Sequence, residues 1–214
     1  MRSESQTSLI FDFDGTIADT LSEGFSIFNQ LARENGFQPV SQEQLTELRA
    51  LDTTELLTRL DIPKRKIPLL VTKGLRLLRS RIRDLPLIEG MAEVLPQLRK
   101  RADCFGILTS NAVDNVEAFL EAHGLRDLFT FISSTSKLTG KAKHLRAIAR
   151  TFSLRSEQML YIGDEIRDLR AARKAHIPAV AVTWGLNSEA SLAAEHPRFL
   201  VHSPSELLEI LDNH

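Results

Sequence analysis

Residues 8–16 read SLIFDFDGT, a short apolar run that ends in two carboxylates placed two positions apart. In a strand that alternates its side chains, Asp12 and Asp14 would point to one side, although Phe11 and Phe13 beside them belong in a core. Burying an ionised carboxylate costs several kcal/mol unless the group is paired or binds a cation. The glycine that follows permits a tight turn whose amides can face a ligand. The stretch therefore predicts a buried strand that ends at a chemical site.

The overall composition is that of an ordinary globular chain. Of its 214 residues, 43% are hydrophobic and 26% are charged, and the formal net charge is −1. The length fits one core with a modest insertion or two small domains. A net charge so close to zero provides no general attraction to nucleic acid or to a membrane surface, so we expect neither as a partner. Without a run of about 20 apolar residues or a signal-like start, cytoplasmic residence is the expectation.

Short apolar runs alternate with stretches whose apolar residues recur at helical spacing. The predicted strands cover residues 8–13, 104–108, 129–133, 159–162, 179–182 and 199–201, and the predicted helices between them include 113–122, 142–152, 167–175 and 205–211. This alternation predicts an α/β fold with a Rossmann-like three-layer core, in which helices cover both faces of a parallel sheet.

One interval interrupts the alternation. Residues 18–85 contain no convincing strand, while apolar residues, including those within 56–60, fall at helical spacing. We therefore predict an all-helical cap subdomain over 18–85, inserted directly after the first strand of a catalytic core formed by residues 1–17 and 86–214.

Polar side chains follow each of the first four strands. The carboxyl ends of parallel strands meet at one edge of a sheet, where ligands bind. The residues at these ends are Asp12, Asp14, Gly15 and Thr16 after the first strand, Ser110 and Asn111 after the second, Lys141 beyond the third, and Asp164, Glu165 and Asp168 after the fourth. Carboxylates, hydroxyl and amide groups and a lysine suit Mg²⁺ and phosphate.

These side chains could support phosphoryl transfer. Mg²⁺ needs only one or two protein carboxylates because it retains several waters, and Asp12 and Asp164 are the natural candidates. A phosphoryl group beside the ion would place its other oxygens near Ser110 and near a lysine that offsets the negative charge. One carboxylate could then act as nucleophile, and the second carboxylate of the opening pair could transfer the proton.

Four segments together resemble the ordered motifs of the haloacid dehalogenase-like hydrolases. They are DFDGT at 12–16, TSN at 109–111, GK at 140–141 and GDEIRD at 163–168. The resemblance extends over most of the chain and implies a Rossmann-like core. It also implies that the helical insertion is a small cap of the phosphoglycolate phosphatase and β-phosphoglucomutase type.

The resemblance assigns roles to individual residues. Asp12 would form an aspartyl-phosphate, and Asp14 would be the general acid and base. The backbone carbonyl of Asp14 would also bind the metal. An acid at this second position favours phosphoryl transfer over dehalogenation, because an alkoxide leaving group needs a proton and a halide does not. The residues implied to bind substrate are Gly15, Thr16, Ser110, Asn111 and Lys141, and those implied to bind or orient Mg²⁺ are Asp12, Asp14, Asp164 and Asp168.

Two positions allow alternatives. Lys143 could replace Lys141, which we prefer because it follows Gly140 at a predicted helix start. Glu165 stands where the family often has Ser or Thr, and it could add a metal ligand or, as we favour, face solvent. Each motif alone also has an ordinary explanation, such as an Asx turn, a helix N-cap or a surface lysine.

Several other residues are interpreted as structural. Cys104 stands beside the apolar run FGIL and is predicted to be a buried strand residue. His123 and His176 are predicted to close helices. Trp184, in VTWGLN, is predicted to pack in the core or at the rim of the site, with substrate contact as the alternative.

The cap would select the substrate, because the core motifs recognise only phosphate and metal. Residues 63–83 contain eight basic residues and no acidic one, which we interpret as a solvated helix face or partner surface rather than a substrate contact. The predicted protein is a Mg²⁺-dependent phosphatase, a monomer or homodimer, whose partner is a small phosphorylated metabolite, phosphoglycolate-like or a sugar phosphate. A phosphomutase of the β-phosphoglucomutase type and a non-catalytic binding protein on the same fold are the alternatives.

Overall fold

A single parallel sheet of six strands forms the centre of the protein. The structure is a computed structural model that describes residues 7–48, 59, 62–135 and 140–211. The strands run in the order β3-β2-β1-β4-β5-β6, and every neighbouring pair is parallel. Their bounds are β1 Ser8–Phe11, β2 Cys104–Thr109, β3 Phe131–Ser134, β4 Met159–Gly163, β5 Ala179–Val182 and β6 Phe199–Val201. The predicted α/β class is confirmed.

Nine α-helices lie within the described ranges. They are α1 Leu21–Asn35, α2 Gln42–Leu48, α3 Ile67–Arg81, α4 Met91–Arg101, α5 Val113–Ala122, α6 Lys141–Thr151, α7 Ile166–Ala175, α8 Glu189–Ala193 and α9 Glu206–Ile210. Short 3-10 turns cover Lys64–Lys66, Ile82–Asp84, Arg126–Leu128 and Ser156–Gln158. None of these described helices has the length and the hydropathy that crossing a membrane would require.

The side chains of the strands alternate between two apolar layers. Leu9 and Phe11 of β1 belong to the layer covered by α4, α5 and α9, whereas Ile10 belongs to the layer beneath α6, α7 and α8. This period of two buries both faces of the sheet, as expected for parallel strands between helices. The chain order turns from one side of β1 to the other between β3 and β4, so the ends of β1 and β4 form the switch point at which such sheets bind ligands.

The described part of residues 18–85 is mainly helical between its two connections to the core and contains no strand. Helices α1 and α3 pack together, and a Cβ added at Gly74 would lie 3.7 Å from Leu31. The predicted helical spacing within 56–60 lies outside the described residues, apart from Arg59, which is helical. The bounds proposed for the cap therefore stay a prediction.

The two connections run side by side. Ala18 forms an antiparallel bridge with Leu87. The amide of Asp19 donates to the carbonyl of Pro86 at 2.9 Å, and the amide of Ile88 donates to that of Ile17 at 2.9 Å. The two connections between the helical segment and the core are therefore adjacent and hydrogen-bonded to each other.

Three residues interpreted as structural have that role in the described structure. Cys104 is buried in β2, where burial raises the pKa of its thiol. His123 and His176 cap the C-terminal ends of α5 and α7. His176 adopts a φ of 58°, in the left-handed region that helix ends often use.

The aromatic pair that holds the first motif against the core provides a stability test. Phe119 of α5 is fully buried, and its ring meets that of Phe13 edge-on at 5.1 Å. We expect Phe119→Ala to lower the free energy of unfolding by about 3–5 kcal/mol, because the cavity beneath the motif cannot collapse without moving it. Phe152→Ala is the control, since that ring is 37% exposed and its removal should cost about 1 kcal/mol or less. Equal losses in urea unfolding experiments would contradict the assignment.

Candidate active site

The first motif leaves β1 in a tight turn. The carbonyl of Phe13 accepts hydrogen bonds from the amides of residues 16–18, and the amide of Gly15 donates to the carbonyl of Ala18 at 2.9 Å. Gly15 has a φ of 72°, and a Cβ there would lie 2.4 Å from Oδ2 of Asp164. Glycine is therefore required both by the backbone angle and by the close approach. The turn brings the end of β1 against the end of β4.

A buried ion triad lies at this point. Nζ of Lys141 is 2.6 Å from Oδ2 of Asp12 and 2.6 Å from Oδ1 of Asp168. Lys141 is the first residue of α6, which directs its side chain beneath the strand ends, whereas Lys143 is exposed. The structure thus brings Lys141, and not Lys143, to the carboxylates.

The charges of the triad act strongly on one another because water is excluded. Burial raises the pKa of the Asp12 carboxyl well above its usual range; the ammonium of Lys141 lowers it, and the carboxylates of Asp168 and Asp164 raise it again. Burial alone would lower the pKa of Lys141, but Asp12 and Asp168 raise it well above its usual range. Lys141 therefore stays charged at neutral pH.

Asp164 lies at the end of β4, and its hydrogen-bond partners among the described residues are neutral. Its carboxylate accepts a hydrogen bond from the hydroxyl of Thr16 at 2.8 Å and from the amide of Leu186 at 2.7 Å. No cationic side chain in the described ranges forms an ion pair with it. Burial raises its pKa to about 7, with further contributions from Glu165 and Asp168. Asp164 is therefore a buried carboxylate whose charge lacks compensation.

The loop over residues 184–187 closes over this carboxylate, and of its residues only Trp184 was predicted to lie near the site, in the core or at the rim. Nε1 of Trp184 donates to the carbonyl of Thr16 at 3.2 Å, which places the half-buried indole at the rim of the site. A Cβ at Gly185 would lie 2.1 Å from Cβ of Asp164. The backbone of the loop therefore lies directly against the Asp164 side chain and leaves no room for a larger residue. The only sequence signal for the loop was its position after β5, at the same edge of the sheet.

Asp14 faces the start of α5. Nδ2 of Asn111 donates to its carboxylate at 3.1 Å. Oδ1 of Asn111 accepts from the amide of Ala112 at 2.8 Å and from Nδ2 of Asn115 at 2.9 Å, so the orientation of the amide is fixed. Burial raises the pKa of Asp14, while the hydrogen bonds from Asn111 and Thr20 lower it by less. The carboxyl can thus retain a proton at a higher pH than an exposed one.

Glu165 corrects an expectation, because it does not face solvent. It is only 7% exposed and caps the start of α7, where its amide donates to Oδ2 of Asp168 at 3.3 Å. Its carboxylate also pairs with the guanidinium of Arg167, whose Nη2 lies 3.4 Å from Oγ of Ser110. The expectation that Glu165 faces solvent was wrong, because the capping geometry turns its side chain inwards, towards the second motif.

The side chains gathered here fit a divalent cation. Oxygens of Asp12, Glu165 and Asp168 lie within 4.8 Å of one another. Water-poor surroundings make such an excess of negative charge costly unless a cation offsets it. The gathered carboxylates belong to Asp12, Asp14, Asp164, Glu165 and Asp168, and the cations near them belong to Lys141 and Arg167. Hard oxygen ligands in this number are the chemistry that Mg²⁺ prefers.

Comparison with known proteins identifies the family of the chain. The sequence profile of the haloacid dehalogenase-like hydrolases matches residues 9–182. A phosphoglycolate phosphatase of Synechococcus elongatus is 36% identical over 202 residues, covering 94% of this chain and 95% of that protein. A pyrophosphatase of Bacillus cereus is 25% identical over 210 residues, covering 96% of each chain.

The fold has the same relatives. A haloacid dehalogenase-like hydrolase of Streptococcus pneumoniae superimposes with a TM-score of 0.83 at 23% identity, covering 96% of this chain and 98% of that one. The likeness covers the sheet, its helices and the helical insertion together. The chain is therefore a member of the haloacid dehalogenase-like hydrolase family, and a phosphatase within it.

Proposed function

We propose that the protein is a Mg²⁺-dependent cytoplasmic phosphatase that hydrolyses 2-phosphoglycolate, or a similarly small phosphate monoester, through an aspartyl-phosphate on Asp12. The observation that carries the proposal is the buried contact of Lys141 with Asp12 at the end of β1, beside the uncompensated carboxylate of Asp164. The extensive similarity to a phosphoglycolate phosphatase supports this substrate class.

Asp12 is held in position for attack on phosphorus. Its Oδ1 accepts from the amide of Phe13 at 2.8 Å, and Lys141 holds Oδ2. A carboxylate oxygen of Asp12 would form the new bond to phosphorus as the bond to the ester oxygen breaks. Lys141, Ser110 and Asn111 would bind the phosphoryl oxygens, and the charge of Lys141 would offset the negative charge that gathers there.

Asp14 would act as the general acid and then as the general base. Its raised pKa favours the protonated form that can donate to the leaving alkoxide. Once it has lost that proton, the same carboxylate would accept one from the water that attacks the aspartyl-phosphate. The hydrogen bond from Asn111 holds the Asp14 carboxylate and would direct it to the leaving group.

A magnesium ion would be held by side-chain oxygens of Asp12 and Asp164 and by the backbone carbonyl of Asp14, with Asp168 orienting the triad through Lys141. When bound, the ion would supply Lewis-acid stabilisation of the phosphoryl oxygens. It would also provide the positive charge that Asp164 lacks.

The helical cap, proposed as residues 18–85, would choose among phosphate esters. The core groups would contact the phosphate, and the helices of the cap would contact the rest of the substrate. Closing of such a cap would exclude water from the reacting atoms. We propose that the functional unit is a monomer or a homodimer. Its partner would be a small phosphorylated metabolite, without nucleic acid or membrane.

The assignment of Asp12 can be tested with purified protein and a panel of phosphate esters. With Mg²⁺ present, the native protein should release phosphate from 2-phosphoglycolate, and Asp12→Asn should reduce kcat at least about a thousandfold because the nucleophile is lost. Asp114→Asn is the control, since that carboxylate is 82% exposed on α5, and it should retain full activity. Phosphate release by Asp12→Asn at the native rate would refute the role of Asp12.

The panel should also include sugar phosphates, nucleoside monophosphates and pyrophosphate. A phosphomutase would return the phosphoryl group to a sugar, so product analysis with a sugar phosphate would show an isomer instead of free phosphate. Absence of any hydrolysis across the panel would favour a binding protein on the same fold.

The raised pKa of Asp164 gives a test of the site that does not depend on activity. Between the unfolded value of 3.8 and the folded value of about 7, the folded state holds a proton that the unfolded state lacks. Without metal, stability should therefore fall as the pH rises through this window. Asp164→Asn should reduce this fall by on the order of 2 kcal/mol, measured as urea unfolding in EDTA at about pH 5 and about pH 7.5.

The same variant tests the metal. Mg²⁺ should stabilise the native protein at about pH 7.5 and stabilise Asp164→Asn much less, because a ligand that binds only the folded state adds its binding free energy to stability. Asp114→Asn should respond as the native protein does. An equal response of all three proteins to Mg²⁺ would contradict a magnesium site at Asp164.

A further inference from the structure

Arg167, in the fourth motif, connects that motif to the second. Its Nη2 donates to Oε1 of Glu165 and lies 3.4 Å from Oγ of Ser110. One terminal nitrogen of a guanidinium carries two hydrogens, so it can serve both oxygens at once. The roles proposed above leave Arg167 without a function, although it lies beside the hydroxyl assigned to the phosphoryl group.

The surroundings of Arg167 are unlike those of other arginines on the same helix. Its Nε is buried without a hydrogen-bond partner among the described residues, and such an unpaired donor costs free energy of folding. Arg170 and Arg173, further along α7, instead pair with Glu195 at the surface, and their side chains are 48% and 59% exposed. Stability alone therefore does not account for the placement of Arg167.

The direction of the hydrogen bond between Arg167 and Ser110 is fixed by chemistry. A guanidinium has donors and no acceptor, so the Ser110 oxygen must accept. The hydroxyl hydrogen of Ser110 is then turned away from Arg167, and among the described residues nothing accepts it, so it can be donated to an incoming oxygen. A positive charge beside the hydroxyl also makes it a stronger donor.

We propose that Arg167, anchored by Glu165, is a positioning residue that sets the Ser110 hydroxyl as a hydrogen-bond donor to the transferring phosphoryl group. This inference rests on the proposed function, since it assumes that a phosphoryl group occupies the site. It gives Glu165 a purpose different from metal binding: its carboxylate holds the guanidinium in place, and the capping bonds of α7 hold Glu165.

A double-mutant cycle on Ser110 and Arg167 tests the proposal. Inorganic phosphate is the probe, titrated into protein with Mg²⁺ in a calorimeter, and kcat/KM for 2-phosphoglycolate is measured in parallel. Arg167→Met should weaken phosphate binding by about tenfold, as expected for loss of one hydrogen bond to a charged group. In a Ser110→Ala background, the same change should weaken binding by less than about twofold, because the hydroxyl that Arg167 orients is absent.

Controls keep the result interpretable. Arg170→Met removes a positive charge from the same helix and should leave phosphate binding unchanged. Should Arg167→Met fail to fold, as judged by circular dichroism, Arg167→Lys replaces it in the cycle, and its effect should likewise disappear in the Ser110→Ala background.

Two results would overturn the proposal: native phosphate binding by the Arg167 variant, or equal losses in the presence and absence of the Ser110 hydroxyl. The proposed function fails separately, if the native protein neither binds phosphate nor hydrolyses any ester. Normal hydrolysis that depends on Asp12 but not on Arg167 would leave the proposed function intact and remove only this inference.

Discussion

The attraction between the Lys141 ammonium and the two carboxylates of Asp12 and Asp168 is the interaction on which the site depends. It joins three segments that are distant in sequence: the end of β1, the start of α6 and the first turn of α7. Removing the lysine would leave two buried anions side by side, which is far more costly than any surface ion pair is favourable. The same contact therefore holds the three segments together and keeps the two carboxylates side by side.

The surroundings of the triad divide the acidic residues by their partners. Asp12 and Asp168 share a lysine, Glu165 has an arginine, and the donors to Asp164 in the described part of the chain are neutral. Because the acidic residues differ in their cationic partners, the paired carboxylates are held in place, while the unpaired carboxylate of Asp164 can attract a cation. Burial is what makes these differences large, since the same partners in water would shift the pKa values little.

Much of this arrangement could be predicted from local sequence. The strands were predictable because both faces of a parallel sheet are buried, so apolar runs mark them, and the polar residues after each run had to meet at one edge. Glu165 was misjudged because its direction depends on a cap and an ion pair formed within the first turn of α7. Trp184 was predicted at the core or rim, but Arg167 and residues 185–187 were not assigned to the site, because only the folded chain brings them to Ser110 and Asp164.

The paired connections of the helical segment have a consequence for how such a protein can change. Because the bridge between Ala18 and Leu87 joins the segment's entry to its exit, the chain leaves and re-enters the core at adjacent points, and the segment also contacts α5 through the ion pairs of Arg79 with Asp114 and of Arg83 with Glu121. A helical segment of another length or sequence could occupy the interval without altering the register of any strand. The helical segment can therefore change without disturbing the sheet. Related proteins could then acquire new substrates through changes in this segment while the residues at the strand ends stay the same.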